Sequence, residues 1–412
     1  MCKYGLIGEK LGHSFSKEIH EQIADYNYEL IELTSDELRV FLEKKEFEAV
    51  NVTIPYKQEV IPYIDEMTEE AKTLGAVNCI KNIEGKLIGH NTDFDGLVAL
   101  INHAKIDVAD KKVLILGTGG TSDTAYGVCK ELKAKEILKL SRNGYDGTIS
   151  YEEAAMAHSD SQVIINTTPC GMYPNLLEQP LDLDEFNSLE GVVDAIYNPL
   201  RTSLISQALA KGIKAEGGLY MLATQAVKAS EFFLGVSYSR ETAEKVFSQL
   251  YKNKSNIVLT GMPASGKTTI GTDLAAKLDR AFYDTDLLAE KDQGMTISQM
   301  FEKYGEKYFR DIESKIIREV STKSGAIIAT GGGAILKKEN VNAMKLNGQV
   351  FFIDRSPELL VPTDDRPRAY NKEEIKKRYE ERYPTYISTA DYIIKNQSSI
   401  EKATEEILEE FK

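Results

Sequence analysis

Beyond residue 170 the chain has neither cysteine nor histidine; its four cysteines (Cys2, Cys79, Cys129, Cys170) and five histidines all lie earlier. No two cysteines form a CxxC pair, which argues against a zinc ribbon or a disulfide framework. Reduced thiols in a cytoplasmic protein are the expectation. A metal in the second half has only oxygen ligands to use, which points to magnesium rather than zinc. Long hydrophobic runs are also missing. The most apolar stretches, "KVLILG" and "GAIIATGGGAIL", are strand-sized, so no membrane span is expected. The opening "MCKYGLIGEKLGHS" lacks the basic and then apolar segments of a secretory signal. A basic excess is absent as well: the net charge of −14 argues against a nucleic-acid partner and leaves only local pockets for small anions.

What is present is a repeated strand–helix pattern in 412 residues, more than one hydrophobic core usually supports. In the first hundred residues "YGLIG", "YELIEL", "AVNVTIP" and "AVNCIKN" read as strands, with helices over "SKEIHEQIADY" and "SDELRVFLEKK". From 111 a second series begins with "KKVLILG", "EILKLS", "VIINTT" and "GVVDAIYN", the pattern of a parallel, doubly wound sheet. The polar "YKNKS" at 251–255 is the expected linker. After it "NIVLT", "AFYDTD", "AIIATGGG", "QVFFID" and "DYIIKN" alternate with helices. The fold class expected throughout is α/β.

Two glycine-rich loops of different design punctuate this pattern. "GMPASGKT", Gly261 to Thr268, matches the phosphate loop GxxxxGK[ST]. Backbone N–H groups of Ala264, Ser265, Gly266 and Thr269 would wrap phosphates, Lys267 adds charge, and the Thr268 hydroxyl reaches magnesium. "FYDTD" sets Asp284 and Asp286 at the end of the next strand, where substrates gather in such sheets. "GEKYFRDIE" and "TGGGA" follow. With these motifs, residues 256–412 resemble shikimate kinase, a P-loop fold of the nucleoside-monophosphate-kinase type. The resemblance implies that Asp286 polarises the acceptor hydroxyl and Asp284 helps to anchor Mg2+. It implies that Arg310 and Arg382 grip a carboxylate, that Gly332 touches ring hydroxyls, and that Arg366 is a lid arginine over ATP. "RPRA" stands where that family usually has an apolar "RPLL".

The earlier loop, "GTGGTS" after "KVLIL", is a dinucleotide-type turn through Gly117, Thr118, Gly119, Gly120 and Thr121. The next strand ends in Ser141-Arg142-Asn143 without a carboxylate; arginine suits a 2′-phosphate, so NADP is preferred over NAD. "GHSFSKEIH", "NVTIPYK", "GAVN" and "GHNTDFDG" precede this turn, and "DAIYNP" and "GGLYMLATQA" follow it. In this order the motifs resemble shikimate dehydrogenase over about 1–250. That family divides into a substrate-binding part (here 1–100, completed by helices at about 224–250) and a Rossmann-type NADP part (101–223). The resemblance implies that Ser14 and Ser16 bind a carboxylate and that Thr53, Asn78, Tyr197 and Gln225 bind hydroxyls. Lys57 and Asp93 would be the catalytic pair, with Ala195 and Gly218 beside the cofactor. A lysine next to an aspartate suits ketone reduction, because a positioned ammonium can supply the proton that the new alkoxide needs. Asp123, just past the turn, is expected to weaken cofactor affinity.

The expectation is one chain that reduces 3-dehydroshikimate with NADPH and phosphorylates the shikimate formed, using ATP and Mg2+. Quinate as the dehydrogenase substrate is one rival. A nucleotide-sensing regulator with dead sites is another, but it would lack Lys57, Asp93, Lys267 or Asp286, and all four are present. The sequence leaves homo-oligomerisation open.

Overall fold

The computed structural model describes residues 3–12, 14–145, 147–173, 175–360, 372–397 and 399–411. The chain divides into two compact units: Met1–Cys170, Gln179–Tyr197 and Gln207–Leu250 form the first, while Gly171–Glu178, Asn198–Ser206 and Tyr251–Lys412 form the second. The polar segment 251–255 is helical as far as Lys254, the last residue of a helix Glu241–Lys254. Among the described residues no helix is long and apolar enough to cross a membrane.

The first unit contains two sheets. The first is built from β1 (Tyr4–Gly8), β2 (Tyr28–Glu32), β3 (Ala49–Val52), β4 (Glu66–Met67), β5 (Cys79–Ile83) and β6 (Lys86–His90), in the order β2-β1-β3-β5-β6-β4. β1 is parallel to β2 and β3, whereas β5 is antiparallel to β3 and β6. The β5–β6 hairpin turns on Glu84 and Gly85, both at positive φ, which matches the twist of the flanking strands. Strand β6 was not expected from the sequence; only Leu87 and Gly89 of "KLIGH" are buried, so its apolar signal is thin. The helix Ser35–Lys44 starts on a reciprocal cap, with Thr34 accepting from the Glu37 amide while the Glu37 carboxylate accepts from the Thr34 amide. It buries Leu38 and Leu42 against Ile7, Val50 and Ile80. The helix Leu219–Leu234 returns to the first sheet, where Ala229 and Phe233 pack with Leu6, Tyr28 and Ala49.

The second sheet joins β7 (Lys112–Leu116), β8 (Glu136–Ser141), β9 (Ile149–Ser150), β10 (Val163–Asn166), β11 (Gly191–Asp194) and β12 (Lys214–Glu216), in the order β12-β11-β10-β7-β8-β9. Every pairing is parallel. Burial of all four residues in β10 and β11 is what a parallel sheet covered on both faces requires. Strand order reverses at β7, so its carboxyl end opens a crevice, and the glycine turn Gly117–Thr121 lies there.

In the second unit β13 (Asn256–Thr260), β14 (Phe282–Asp284), β15 (Ile327–Ala329), β16 (Gly348–Asp354) and β17 (Tyr392–Lys395) pair in the order β14-β15-β13-β16-β17, all parallel. Successive residues of β13 feed opposite cores, as a period of two demands: Val258 joins Ile317, Phe352 and Tyr386, and Ile257 joins Phe351, Ile394 and Ile407. The helix Ile297–Ser321 starts on a second reciprocal cap, Thr296 with Gln299, and is broken at Gly305 (φ 82°). The part after the break carries Arg310 and Glu313.

Candidate active sites

In the first unit a cavity of about 330 Å³ is lined by Ser14, Ser16, Thr53, Lys57, Asn78, Asp93, Tyr197 and Gln225, and reaches Thr121, Ala195 and Gly218. All eight residues expected at the substrate therefore meet, beside three expected at the cofactor. Lys57 donates to Asp93 Oδ2 at 2.7 Å, and Asp93 Oδ1 accepts from Asn78 Nδ2 and Gln225 Nε2, each at 3.0 Å. Asp93 opens the helix Asp93–His103, so the helix dipole also favours its charge. The carboxylate is 7 % exposed and the lysine 25 %; the ammonium keeps access to the cavity while the anion is held still. The Ser14 hydroxyl donates to Ser16 Oγ at 3.1 Å, placing two hydroxyls on one loop.

Sequence reasoning missed the wall behind these groups. His20 is buried and stacks on Tyr28 at 4.1 Å between ring centroids, and its Nδ1 meets the Tyr26 hydroxyl at 2.6 Å. Burial lowers its pKa to about 3, so the ring is neutral at neutral pH. The Tyr28 hydroxyl donates to Asn51 Oδ1 at 2.7 Å, and Asn51 Nδ2 donates to the Asn78 carbonyl at 3.2 Å. His20 and Asn51 both line the cavity.

The cofactor residues surround the carboxyl end of β7. Gly117 has φ 110°, and a Cβ there would stand 2.8 Å from Thr167 Oγ1, so glycine is required. The helix Gly120–Glu131 starts without a side-chain cap, which leaves amides directed at an incoming pyrophosphate. Thr118 and Gly119 are exposed in this turn. Ser141 is engaged inside its loop with Thr148 at 2.8 Å, while Arg142 and Asn143 are exposed at the end of β8. Asp123 is paired with Lys139 at 2.5 Å, which offsets the negative charge read from the sequence as a weakness.

In the second unit the phosphate loop joins β13 to the helix Lys267–Leu278, with Ala264 and Gly266 in the left-handed region. Lys267 is 7 % exposed and donates to the carbonyls of Gly261 and Met262 at 3.0 and 2.9 Å. Ser265 is buried, and Thr268 and Thr269 are exposed in the first helical turn. Thr268 donates to Asp284 Oδ2 at 2.7 Å, while Asp284 Oδ1 accepts from the Asp286 and Leu287 amides. A hydroxyl and a carboxylate in contact form an oxygen donor set that fits a hard divalent cation.

A second cavity, of about 120 Å³, is lined by Pro263, Asp286, Arg310, Glu313, Gly331, Gly332, Gly333, Arg378 and Arg382, among others. Arg310 donates to Glu313 Oε2 at 2.7 Å, and Arg382 to the Gly332 carbonyl at 2.9 Å. A Cβ on Gly331 would stand 2.5 Å from Asp286 Oδ1 and 2.6 Å from Glu313 Oε1, so that glycine lets two carboxylates converge. Burial raises the Glu313 carboxyl, and Arg310 opposes the rise. Arg378, one turn before Arg382 on the helix Lys372–Thr389, was not singled out in the sequence; four-residue spacing was its only signal. Arg366 lies outside the described residues.

A family model described as shikimate dehydrogenase substrate binding domain matches residues 6–80. The NADP(+) shikimate dehydrogenase of Clostridium perfringens (strain SM101 / Type A) is 36% identical over 268 residues, covering 61% of this chain and 98% of that relative. The chain belongs to the shikimate dehydrogenase family. Beyond that region, a family model described as shikimate kinase matches residues 263–412, so the family member carries a shikimate kinase domain as well. Among solved structures, shikimate dehydrogenase 1 from Peptoclostridium difficile aligns with a TM-score of 0.56 at 32% identity, covering 61% of this chain and 98% of that one. A chorismate mutase/shikimate 5-dehydrogenase fusion protein from Clostridium acetobutylicum aligns with a TM-score of 0.57 at 34% identity, covering 61% and 97%.

Proposed function

We propose that this chain carries out two consecutive reactions: NADPH-dependent reduction of 3-dehydroshikimate to shikimate in the first unit, and ATP-dependent phosphorylation of shikimate in the second. The supporting observation is that each unit brings its acid–base and anion-binding side chains into one cavity beside a glycine-rich nucleotide turn.

In the first unit Ser14 and Ser16 hold the carboxylate, while Thr53, Asn78, Tyr197 and Gln225 orient the hydroxyls. Lys57, aligned by Asp93, gives its proton to the carbonyl oxygen as the nicotinamide supplies hydride. Arg142 selects the 2′-phosphate of NADP. In the second unit Asp286 orients the acceptor hydroxyl and takes up its proton. Arg310 and Arg382 hold the carboxylate as planar forks, and Lys267 leaves the loop carbonyls for phosphate oxygens. Mg2+ held by Thr268 and Asp284 would screen phosphate charge. The thiols Cys79 and Cys129, both buried and outside any disulfide, fit a cytoplasmic setting.

The test is to assay the purified chain for NADPH oxidation with 3-dehydroshikimate and, separately, for ADP release with shikimate. Both should proceed. Shikimate without effect on ADP release would refute the kinase half, and NADPH oxidation unaffected by 3-dehydroshikimate would refute the other.

A further inference from the structure

Gly332, the middle residue of the three-glycine turn after β15, is held from two sides. On one side a Cβ would stand 2.7 Å from Cδ of Pro263 in the phosphate loop. On the other, its carbonyl accepts from Arg382 Nη1 at 2.9 Å and from the Tyr386 hydroxyl at 2.6 Å. A carbonyl oxygen has two lone pairs, so these donors fill it. They differ in what else they do. Arg382 faces the cavity and has further N–H groups for an anion. Tyr386 is fully buried, and its ring stacks on Phe352 at 4.6 Å with planes 2° apart. Burial raises the phenol above its ordinary value, so the hydroxyl stays a donor across the neutral range.

Three consecutive glycines have wide backbone freedom, and a turn built from them needs outside anchors to present one set of amides. The amide of Gly331 has one, Thr285 Oγ1 at 3.1 Å. The carbonyl of Gly332 and the N–H of Gly333 belong to a single planar, trans peptide group. Fixing the oxygen therefore fixes the direction of the Gly333 N–H on the opposite side.

We propose that Tyr386 is a positioning residue for the acceptor: its hydroxyl anchors the Gly332 carbonyl and thereby aims the Gly333 amide and the Arg382 guanidinium at a hydroxylated carboxylate. The inference rests on reading this cavity as the shikimate site.

The test compares full-length wild type with Tyr386→Phe, which keeps the ring and its stack and loses only the donor. Kinase kinetics are measured with shikimate varied at saturating ATP and the reverse, beside a thermal unfolding curve. If the variant is destabilised, it is assayed well below its own midpoint with wild type at the same temperature. The expected result is a shikimate KM raised about tenfold, the effect of one well-placed buried hydrogen bond, with the KM for ATP within about twofold. A lowered Tm with unchanged shikimate KM makes the hydroxyl purely structural and overturns the proposal. Equal rises in both KM values assign it to the nucleotide loop and overturn it too. Wild type without shikimate-dependent ADP release would fail before any variant is compared, removing the reading of the site and the inference with it.

Discussion

Lys57 Nζ lies 2.7 Å from Asp93 Oδ2, and Asn78 and Gln225 occupy the other oxygen of that carboxylate. Both oxygens of the carboxylate are thus engaged, and of the pair the lysine is the more exposed. Lys57→Ala should lower dehydrogenase turnover by roughly 10²–10⁴-fold, the usual range for a lost general acid, and leave the kinase rate unchanged. Stopped-flow NADPH oxidation measures the first and ADP release the second. Near-normal NADPH oxidation would take Lys57 out of proton transfer.

Arg142 stands exposed at the end of β8, where a cofactor ribose would be read. Arg142→Ala should raise the KM for NADPH about tenfold and that for NADH less than twofold, because only the former loses a charge-assisted contact. Equal changes for the two cofactors would remove the assignment.

Asp284 ends β14 and Asp286 lies in the first turn of the helix Thr285–Gln293, in different surroundings. Asp284 is tied to Thr268 and to two helix amides, whereas Asp286 faces the cavity beside Gly331. Asp286→Asn should cut phosphoryl transfer by at least about 100-fold with ATP affinity intact, as followed by calorimetry. Lost ATP affinity would place Asp286 in the cation site instead and make Asp284 the better base.

His20 gives the first unit a pH dependence with a definite sign. Its pKa is lowered by burial from 6.5 to about 3, so the unfolded chain takes up a proton that the folded one refuses. The contribution to stability is complete above about pH 6.5 and declines as pH falls toward about 3. The unfolding midpoint of the first unit should drop across that window, and His20→Phe, which keeps a ring against Tyr28, should flatten the slope. An unchanged slope would show that other groups govern acid unfolding.

The parts legible in the sequence are those whose chemistry is local. The glycine turns, the Asp284–Asp286 strand end and the Ser14–Ser16 loop each fit within a few residues, and long buried strands such as β13 and β16 announce themselves by apolar runs. Residues joined only by tertiary pairing stayed hidden: the Asn51 side chain reaches Asn78 across strands, and Tyr386 reaches Gly332 across 54 positions. The offset of Asp123 by Lys139 also needed the placement of β8 beside the preceding helix, Gly120–Glu131. A charge read alone in sequence carries no information about its partner.

One chain that performs the two steps in order at separate sites must couple the two signals in a single reaction. The most direct measurement supplies 3-dehydroshikimate, NADPH, ATP and Mg2+ together and follows NADPH and ADP in the same reaction. The expected result is one ADP for each NADPH oxidised after a lag, loss of both signals in Lys57→Ala, and loss of ADP alone in Asp286→Asn. ADP formed at the normal rate in Lys57→Ala, or NADPH oxidation stopped by Asp286→Asn, would contradict it.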